Sequence, residues 1–475
     1  MEKKRYLKLF QSQNDYDAVK KDLMGIPHVV YFEATDELLY VDEDEIDYAL
    51  EFFTIEALED GLTAKLSTNA CEYRIDNGEW IALSAGSDTQ SINKGQTLSF
   101  RGDLTPTDSN GIGTFTIGKR CNLKGNIMSM LYGDNFEGQN DLSSKSYAFY
   151  SMFRGCTNVV KAHRLILPAT TLASSSYSNM FYGCTSLTTA PELSATTLAS
   201  NCYSNMFEGC TSLTEAPQLP ATTLAKSCYY FMFSYCTSLT EAPQLPATTL
   251  ADECYYNMFQ GCTSLMEVPQ LSATTLAYQC YSQMFYGCTS LTTAPQLPAT
   301  TLADECYYNM FYGCTSLTTA PQLPATTLAE MCYTSMFDSC TSLTKAPQLP
   351  ATTLARSCYS SMFNGCSNLN YIKMLATDIS ATRCLNNWVN GVASIGTFVK
   401  NAAMTSLPSG INGIPSGWTV VNEGESVDTT INVEINDSSI NFLSNVEITE
   451  DSISINGENI TIQNDENNNY NIIIE

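Results

Sequence analysis

Histidine is almost absent from this chain: His28 and His163 are the only two in 475 residues. That leaves little for imidazole-based metal binding or acid–base work. Charge is scarce as well, at 15% of residues against a usual share of about 25%. What charge there is carries one sign, with 23 Lys and Arg against 49 Asp and Glu and a net charge of −26. Nucleic acid and anionic membrane surfaces both demand a basic face, so no nucleic-acid partner is expected. No apolar run reaches the ~18 residues a membrane span requires. The start, Met1-Glu2-Lys3-Lys4-Arg5-Tyr6-Leu7, is basic but has no apolar core behind it, and no signal peptide is expected. No P-loop, Rossmann glycine pattern, HExxH or GxSxG occurs, so the chain is expected to be no enzyme and to hold no cofactor and no metal.

What is abundant is cysteine, and it is periodic. Cys202, Cys228, Cys254, Cys280, Cys306, Cys332, Cys358 and Cys384 follow one another in steps of 26, with Ser176 one step earlier. A second series, Cys184, Cys210, Cys236, Cys262, Cys288, Cys314, Cys340 and Cys366, keeps the same step, and Cys156 precedes it by 28. A fixed period in this range means coils stacked into a solenoid, rising about 4.8 Å per coil, so that eight coils span about 40 Å. Cysteine then serves as a small apolar filler in a free-thiol ladder. A disulfide framework is the alternative, because stacked positions have separations that permit bridging.

One coil, Ala299 to Pro324, shows the design. Cys306, Met310 and Cys314 stand at i, i+4 and i+8, with Tyr307 and Phe311 a second i, i+4 pair. This spacing predicts an amphipathic helix of about three turns, with Gly313 as its C-cap, a place taken by Tyr235 and Ser339 in two other coils. Leu317 to Ala320 reads as a short strand, ended by a proline that recurs at Pro191, Pro217, Pro243, Pro269, Pro295 and Pro347. The fold expected is therefore an α/β solenoid of 26-residue coils, one short strand and one helix each. No coil buries its apolar face alone, so neighbours must stack.

The string Met-Phe-x-Gly-Cys-Thr-Ser-Leu-Thr, followed by Pro and Leu, resembles the BspA-type leucine-rich repeat. The likeness runs through nine Met-Phe units over about residues 151–370. That family occurs in surface proteins of Bacteroides-like bacteria, spirochaetes, mycoplasmas and some protists. The resemblance implies a leucine-rich-repeat solenoid displayed at a cell surface.

The flanks divide by composition. Residues 1–60 form an acidic region with a helix at Ser12 to Met24, strands at His28 to Phe32 and Glu37 to Val41, and the acidic run Asp42 to Glu45, which reads as a solvated edge, with a cation-holding run the alternative. Residues 61–120 alternate like a small antiparallel β-domain with Trp80, Ile81, Leu83, Leu98 and Phe100 as anchors. Arg101-Gly102-Asp103 spells an integrin-type tripeptide, read as chance. Residues 121–168 cap the first coil, 169–370 are the repeats, and 371–422 cap the far end with Trp388, Phe398 and Trp418. Residues 423–475 hold twelve acidic residues and no Lys or Arg. Their alternating Ile431-Val433-Ile435, Ile453-Ile455 and Ile460-Ile462, with an Asn456-Gly457 turn, predict hairpins. This β-tail reads equally as an attachment or oligomerisation module and as a solvated end.

Positions that vary between near-identical coils are expected to face solvent. Tyr182, Tyr230, Tyr256, Asn257, Tyr286, Tyr308, Asn309 and Tyr312 are the candidate ligand-binding residues, since Tyr and Asn make contact surfaces at low entropy cost. Packing of these tyrosines over neighbouring coils is the plain alternative. The function expected is adhesion, the solenoid facing a protein or glycan on a host or cell surface. A phage virion fibre, released by lysis without a leader, and a structural spacer are the other readings. The location expected is the cell surface or extracellular space, or else a virion.

Overall fold

The structure is a computed structural model that describes residues 47–107 and 110–425, together with the backbone of short strands within 6–41 and 434–474. The expected helix at Ser12 to Met24, the run Asp42 to Glu45, residues Ile431 and Val433 and the Asn456-Gly457 turn lie outside the described residues. The chain divides into two units, Met1–Glu423 and Gly424–Glu475.

The first unit begins with β1 (Tyr6–Phe10), β2 (His28–Phe32) and β3 (Glu37–Val41), β1 parallel and β3 antiparallel to β2. Next come β4 (Phe53–Ala57), β5 (Ala64–Leu66), β6 (Cys71–Ile75), β7 (Ile81–Leu83), β8 (Thr97–Arg101), β9 (Phe115–Ile117), β10 (Cys121–Asn126) and β11 (Val159–Ile166). Six of them make one sheet in the order β11-β10-β4-β8-β6-β7, while β5 pairs with β9. Alternation puts Leu83, Leu98 and Phe100 in the core. Trp80 instead sits half-buried between the Arg74 and Arg101 guanidinium groups, 4.9 and 4.3 Å from its ring. Arg101 is held by Glu72 and Asp134, each at 2.8 Å, so its tripeptide is tied into the fold.

The core of this sheet runs straight into the solenoid. Phe115 stacks on Phe153 at 5.8 Å, and Phe153 on Phe181 at 5.3 Å. The Cys156 thiol donates to the Phe115 carbonyl at 3.0 Å. Residues of the sheet thus pack on Phe153 and Cys156, and Phe153 in turn meets Phe181 of the next coil.

Within the repeats the expected helix is absent. The longest α-helix among the described residues is Ser129–Tyr132, and the Cys-Tyr…Met-Phe…Cys segment is a ribbon of consecutive turns. Every fourth residue takes a left-handed backbone, as Asn201 (φ 59°), Asn205 (φ 57°) and Gly209 (φ 74°) do in one coil. Hydrogen bonds alternate along it. Cys202, Ser204, Met206 and Glu208 donate their N–H groups three residues back within the coil. Asn201, Tyr203, Asn205, Phe207 and Gly209 donate theirs to the next coil, for example Tyr203 to the Cys228 carbonyl at 3.0 Å. Every N–H from Asn201 to Gly209 is thereby satisfied. The reason for the departure is distance. Stacked rings of successive coils lie 5.6 Å apart at Phe207–Phe233, whereas packed helices need roughly 8–10 Å between axes. The glycine read as a helix cap is the last left-handed position of the ribbon. Tyr235 (φ 59°) and Ser339 (φ 62°) adopt the same conformation in its place.

The predicted strand is reduced to single bridges such as Thr189↔Glu215, Glu241↔Glu267 and Thr293↔Thr319, as the following proline dictates. The interior is a set of like-on-like ladders. Tyr177 through Tyr359 and Phe153 through Phe363 stack coil on coil with their rings nearly parallel. All nineteen cysteines are buried free thiols. Cys210, Cys236, Cys262 and their successors each donate the thiol to the phenylalanine carbonyl of the preceding coil, 3.2 Å for Cys210 to Phe181. Ser176 keeps the cysteine's place by donating its hydroxyl to Ala173 at 2.8 Å.

The last coils widen into a parallel sheet of β12 (Tyr371–Met374), β13 (Thr397–Lys400) and β14 (Thr419–Asn422). Trp388 closes the phenylalanine ladder 6.1 Å beyond Phe363 and meets Phe398 edge-on. Both indole N–H groups are used, by Gly413 for Trp388 and Ala393 for Trp418. In the second unit, β15 (Glu434–Asn436) pairs with β16 (Ser439–Asn441), and β17 (Val446–Thr449), β18 (Ser452–Ile455), β19 (Glu458–Asn464) and β20 (Tyr470–Ile474) form an antiparallel sheet. Ile455 faces Glu458 across the expected hairpin.

Three outcomes test this architecture. Asn309→Ala lowers stability by about 1 kcal/mol because φ is 52° there and asparagine, whose short polar side chain can bond the local backbone, tolerates that conformation better than alanine. At a helical position the same change would stabilise, so urea midpoints separate the two. Burial pushes thiols such as Cys262 and Cys314 from 9.0 up to about 12. The unfolded chain ionises first, so stability is complete below about pH 9 and falls as pH rises towards 12. Thiol reagents at pH 8 will accordingly leave the folded ladder untouched and titrate it after denaturation. Trp388→Ala costs roughly 3–5 kcal/mol, and hydrogen exchange will show the loss concentrated in the final coils.

Candidate binding face

The outward positions of the turn ribbon form three rows along the solenoid, and these carry the variable residues. The structure brings the candidate tyrosines together but half-buries them. Tyr230 and Tyr256 stack at 5.0 Å with planes 9° apart, and Tyr286 and Tyr312 at 4.7 Å with planes 1° apart. Tyr182 lies under the Arg154 guanidinium at 4.4 Å. The Tyr256 hydroxyl accepts from Gln283 at 2.6 Å. Tyr308 and Asn309 are half-buried, one row position apart. Tyr230, Tyr256, Tyr286 and Tyr312 thus pack across coils while remaining partly exposed.

Asn257 is the correction. It was expected to face solvent and is only 3% exposed. Its backbone is left-handed (φ 55°), and its ladder neighbours Phe231 and Gln283 are larger than it is. Its N–H donates to the Ser282 carbonyl of the next coil, and its amide is enclosed.

Two tyrosines outside the candidate set are more exposed than those within it: Tyr235 at 46% and Tyr278 at 40%. Tyr235 fills a glycine position, and its ring lies over Gly261, where an added Cβ would come within 2.7 Å. Gln260 donates to its hydroxyl at 2.9 Å. The signal for both was their departure from otherwise identical coils.

Carboxylates border these rings. Partial burial raises the Tyr278 hydroxyl above its ordinary range, and Glu305, Glu253, Asp304 and Asp252 raise it further. Tyr230 is raised by burial first, then by Tyr256, Glu253 and Glu208. The face is thus aromatic and acidic together, which favours ligands bearing cations or hydrogen-bond donors over an apolar carbon face and disfavours anions.

Among the described residues no helix is long and apolar enough to cross a membrane. A comparison with curated proteins gives no match. A family model, the BspA type leucine rich repeat region, matches six copies over residues 143–266 and 255–381. With slightly more than half of its 475 residues matched, the chain belongs to the BspA-type leucine-rich repeat family.

Proposed function

We propose that this protein is a non-enzymatic, surface-displayed adhesion protein whose turn-ribbon face engages a protein or glycan ligand. The observation that carries the reading is the aromatic cluster of Tyr230, Tyr235, Tyr256, Tyr278, Tyr286, Tyr308 and Tyr312. The rings of Tyr230, Tyr256, Tyr286 and Tyr312 are held by stacking and the Tyr235 hydroxyl by Gln260, so little rotamer entropy remains to be lost there on binding. The carboxylates around Tyr278 select for a basic protein segment or a neutral sugar face. Family membership supports a binding role, and the repetition of one surface every 26 residues supports contact with an extended ligand.

The test is a screen of the purified chain on host-protein and glycan arrays, followed by the double change Tyr256→Ala and Tyr308→Ala on any ligand found. The expected outcome is a loss of affinity of about tenfold or more, since aromatic anchors dominate such surfaces, with an unchanged far-ultraviolet spectrum. An unaltered affinity would reduce the repeats to a spacer.

A further inference from the structure

A concave site lies on the bridge segments of the coils, apart from the turn ribbon that carries the tyrosine rows. Thr318, Thr319 and Gln322 of one coil, Lys345 and Gln348 of the next, and Tyr371 and Lys373 of β12 line a groove of about 530 Å³. Its origin is a lapse in the stacking. Bridges join Thr293 to Thr319 and Lys345 to Tyr371, but among the described residues none joins Thr319 to Lys345. The Ala346 N–H donates to the Tyr371 carbonyl at 2.9 Å, whereas the Ala320 N–H has no such bond to Lys345. Beyond the gap, Tyr371 holds the place that Thr293 and Thr319 take in earlier coils, and its larger side chain walls one end of the groove.

The polar groups facing this groove are open and mostly unpaired. Gln322 and Gln348 are exposed, and neither side-chain amide has a hydrogen-bond partner among the described residues. Each amide offers two donors and a carbonyl acceptor. The Thr319 hydroxyl is free in the same sense, while Thr318 donates its own to the Thr292 carbonyl at 3.2 Å. Charge is nearly balanced. Lys373 is held by Glu423 at 2.9 Å. Lys345, set 4.9 Å over the Tyr371 ring, is the groove's one cation without an ion-pair partner among the described residues. A basic ligand would meet two ammonium groups. A simple anion would answer Lys345 and leave the amide carbonyls unmet. An apolar ligand would cover both amides without a partner for either. A neutral molecule dense in hydroxyls, each a donor and an acceptor, answers the whole set.

We propose that this groove binds a neutral oligosaccharide. One sugar unit sits between Gln322 and Gln348, its hydroxyls exchanging hydrogen bonds with both amides and with Thr319 and accepting from Lys345. The rest of the ligand follows the glutamine row, which repeats every 26 residues at Gln218, Gln244, Gln270 and Gln296. The groove lies within the size range of small-molecule sites, roughly 300–1,000 Å³. The site is separate from the tyrosine face, so either can stand without the other.

The experiment is calorimetric titration of the full chain with neutral tetrasaccharides of glucose, mannose, galactose and N-acetylglucosamine, and with tetragalacturonate as the charged comparison. Saturable binding is expected for at least one neutral tetrasaccharide, about tenfold or more tighter than for tetragalacturonate, which the acidic molecule repels. Gln322 and Gln348 are exposed, so the double change Gln322→Ala and Gln348→Ala should weaken binding about tenfold or more and leave the urea midpoint where it was. The double change Tyr256→Ala and Tyr308→Ala should leave this affinity unaltered. Tetragalacturonate binding as tightly as the best neutral sugar would make Lys345 the determinant and overturn the neutral ligand. Binding lost in the tyrosine variant and kept in the glutamine variant would assign the sugar to the turn ribbon and overturn the groove. No saturable binding of any neutral tetrasaccharide would overturn the site altogether.

Discussion

Consecutive coils sit so close that the backbone of one is the hydrogen-bonding surface of the next, and this spacing governs the rest of the molecule. At 5.6 Å between like rings there is room for one layer of chain and none for a helix. The backbone must then send alternate N–H groups sideways into the neighbouring coil. That alternation needs a sharp reversal at every fourth residue, and the left-handed positions supply it. Where Asn or Gly stands, the conformation comes at little cost. Phe231 (φ 54°) and Met331 (φ 54°) adopt it against their preference, held there by bonds to the coils on either side. Register comes before local propensity throughout the array.

The same spacing explains the identity of the interior residues. A side chain stacked on its own copy meets the same shape, in the same orientation, above and below. Tyrosine, phenylalanine, methionine, cysteine and leucine therefore each occupy a ladder, and every buried leucine or phenylalanine contributes roughly 1.5–3 kcal/mol. The Tyr177 and Tyr229 hydroxyls are buried with no hydrogen-bond partner among the described residues. Cysteine fits this interior because a thiol is small, tolerates an apolar setting and still offers a weak donor. The second series aims that donor at a phenylalanine carbonyl that already accepts the N–H of its own coil's cysteine, as Phe207 does from Cys210.

The period of 26 and the ladders of like residues were legible in the sequence, because each depends on which residues recur and which side chains are large and apolar. The helix was misread for a definable reason. Residues spaced strictly four apart drift only ~40° per step on a helix, so Cys306, Met310 and Cys314 fit one helical face as well as they fit a four-residue turn ribbon. The distinguishing sign was present in the polar residues between them. Asn201, Asn205 and Gly209 also stand four apart and are the types that favour a left-handed backbone, whereas a helix cap would call for one such residue at the end. Exposure at the candidate face was legible only in part. Which rows face outward follows from the repeat, but the burial of Asn257 depends on the size of Phe231 and Gln283 one coil away, which the spacing of a single coil does not reveal.

Uniform stacking also constrains where specific chemistry can arise. A coil interior must match its neighbours, so changes are tolerated only on the outward rows or where the array begins and ends. On the rows, an altered residue meets a near-identical context above and below. It can build only gradual features such as the stacked tyrosines and the carboxylates around Tyr278. At the C-terminal end the symmetry breaks: single bridges give way to the parallel sheet that begins at β12. Tyr371 and Lys373 there share one groove with Gln322, Lys345 and Gln348, a mixture that no ladder of identical coils produces. Repetition gives this protein an extended surface, and the end of the repetition gives it a pocket.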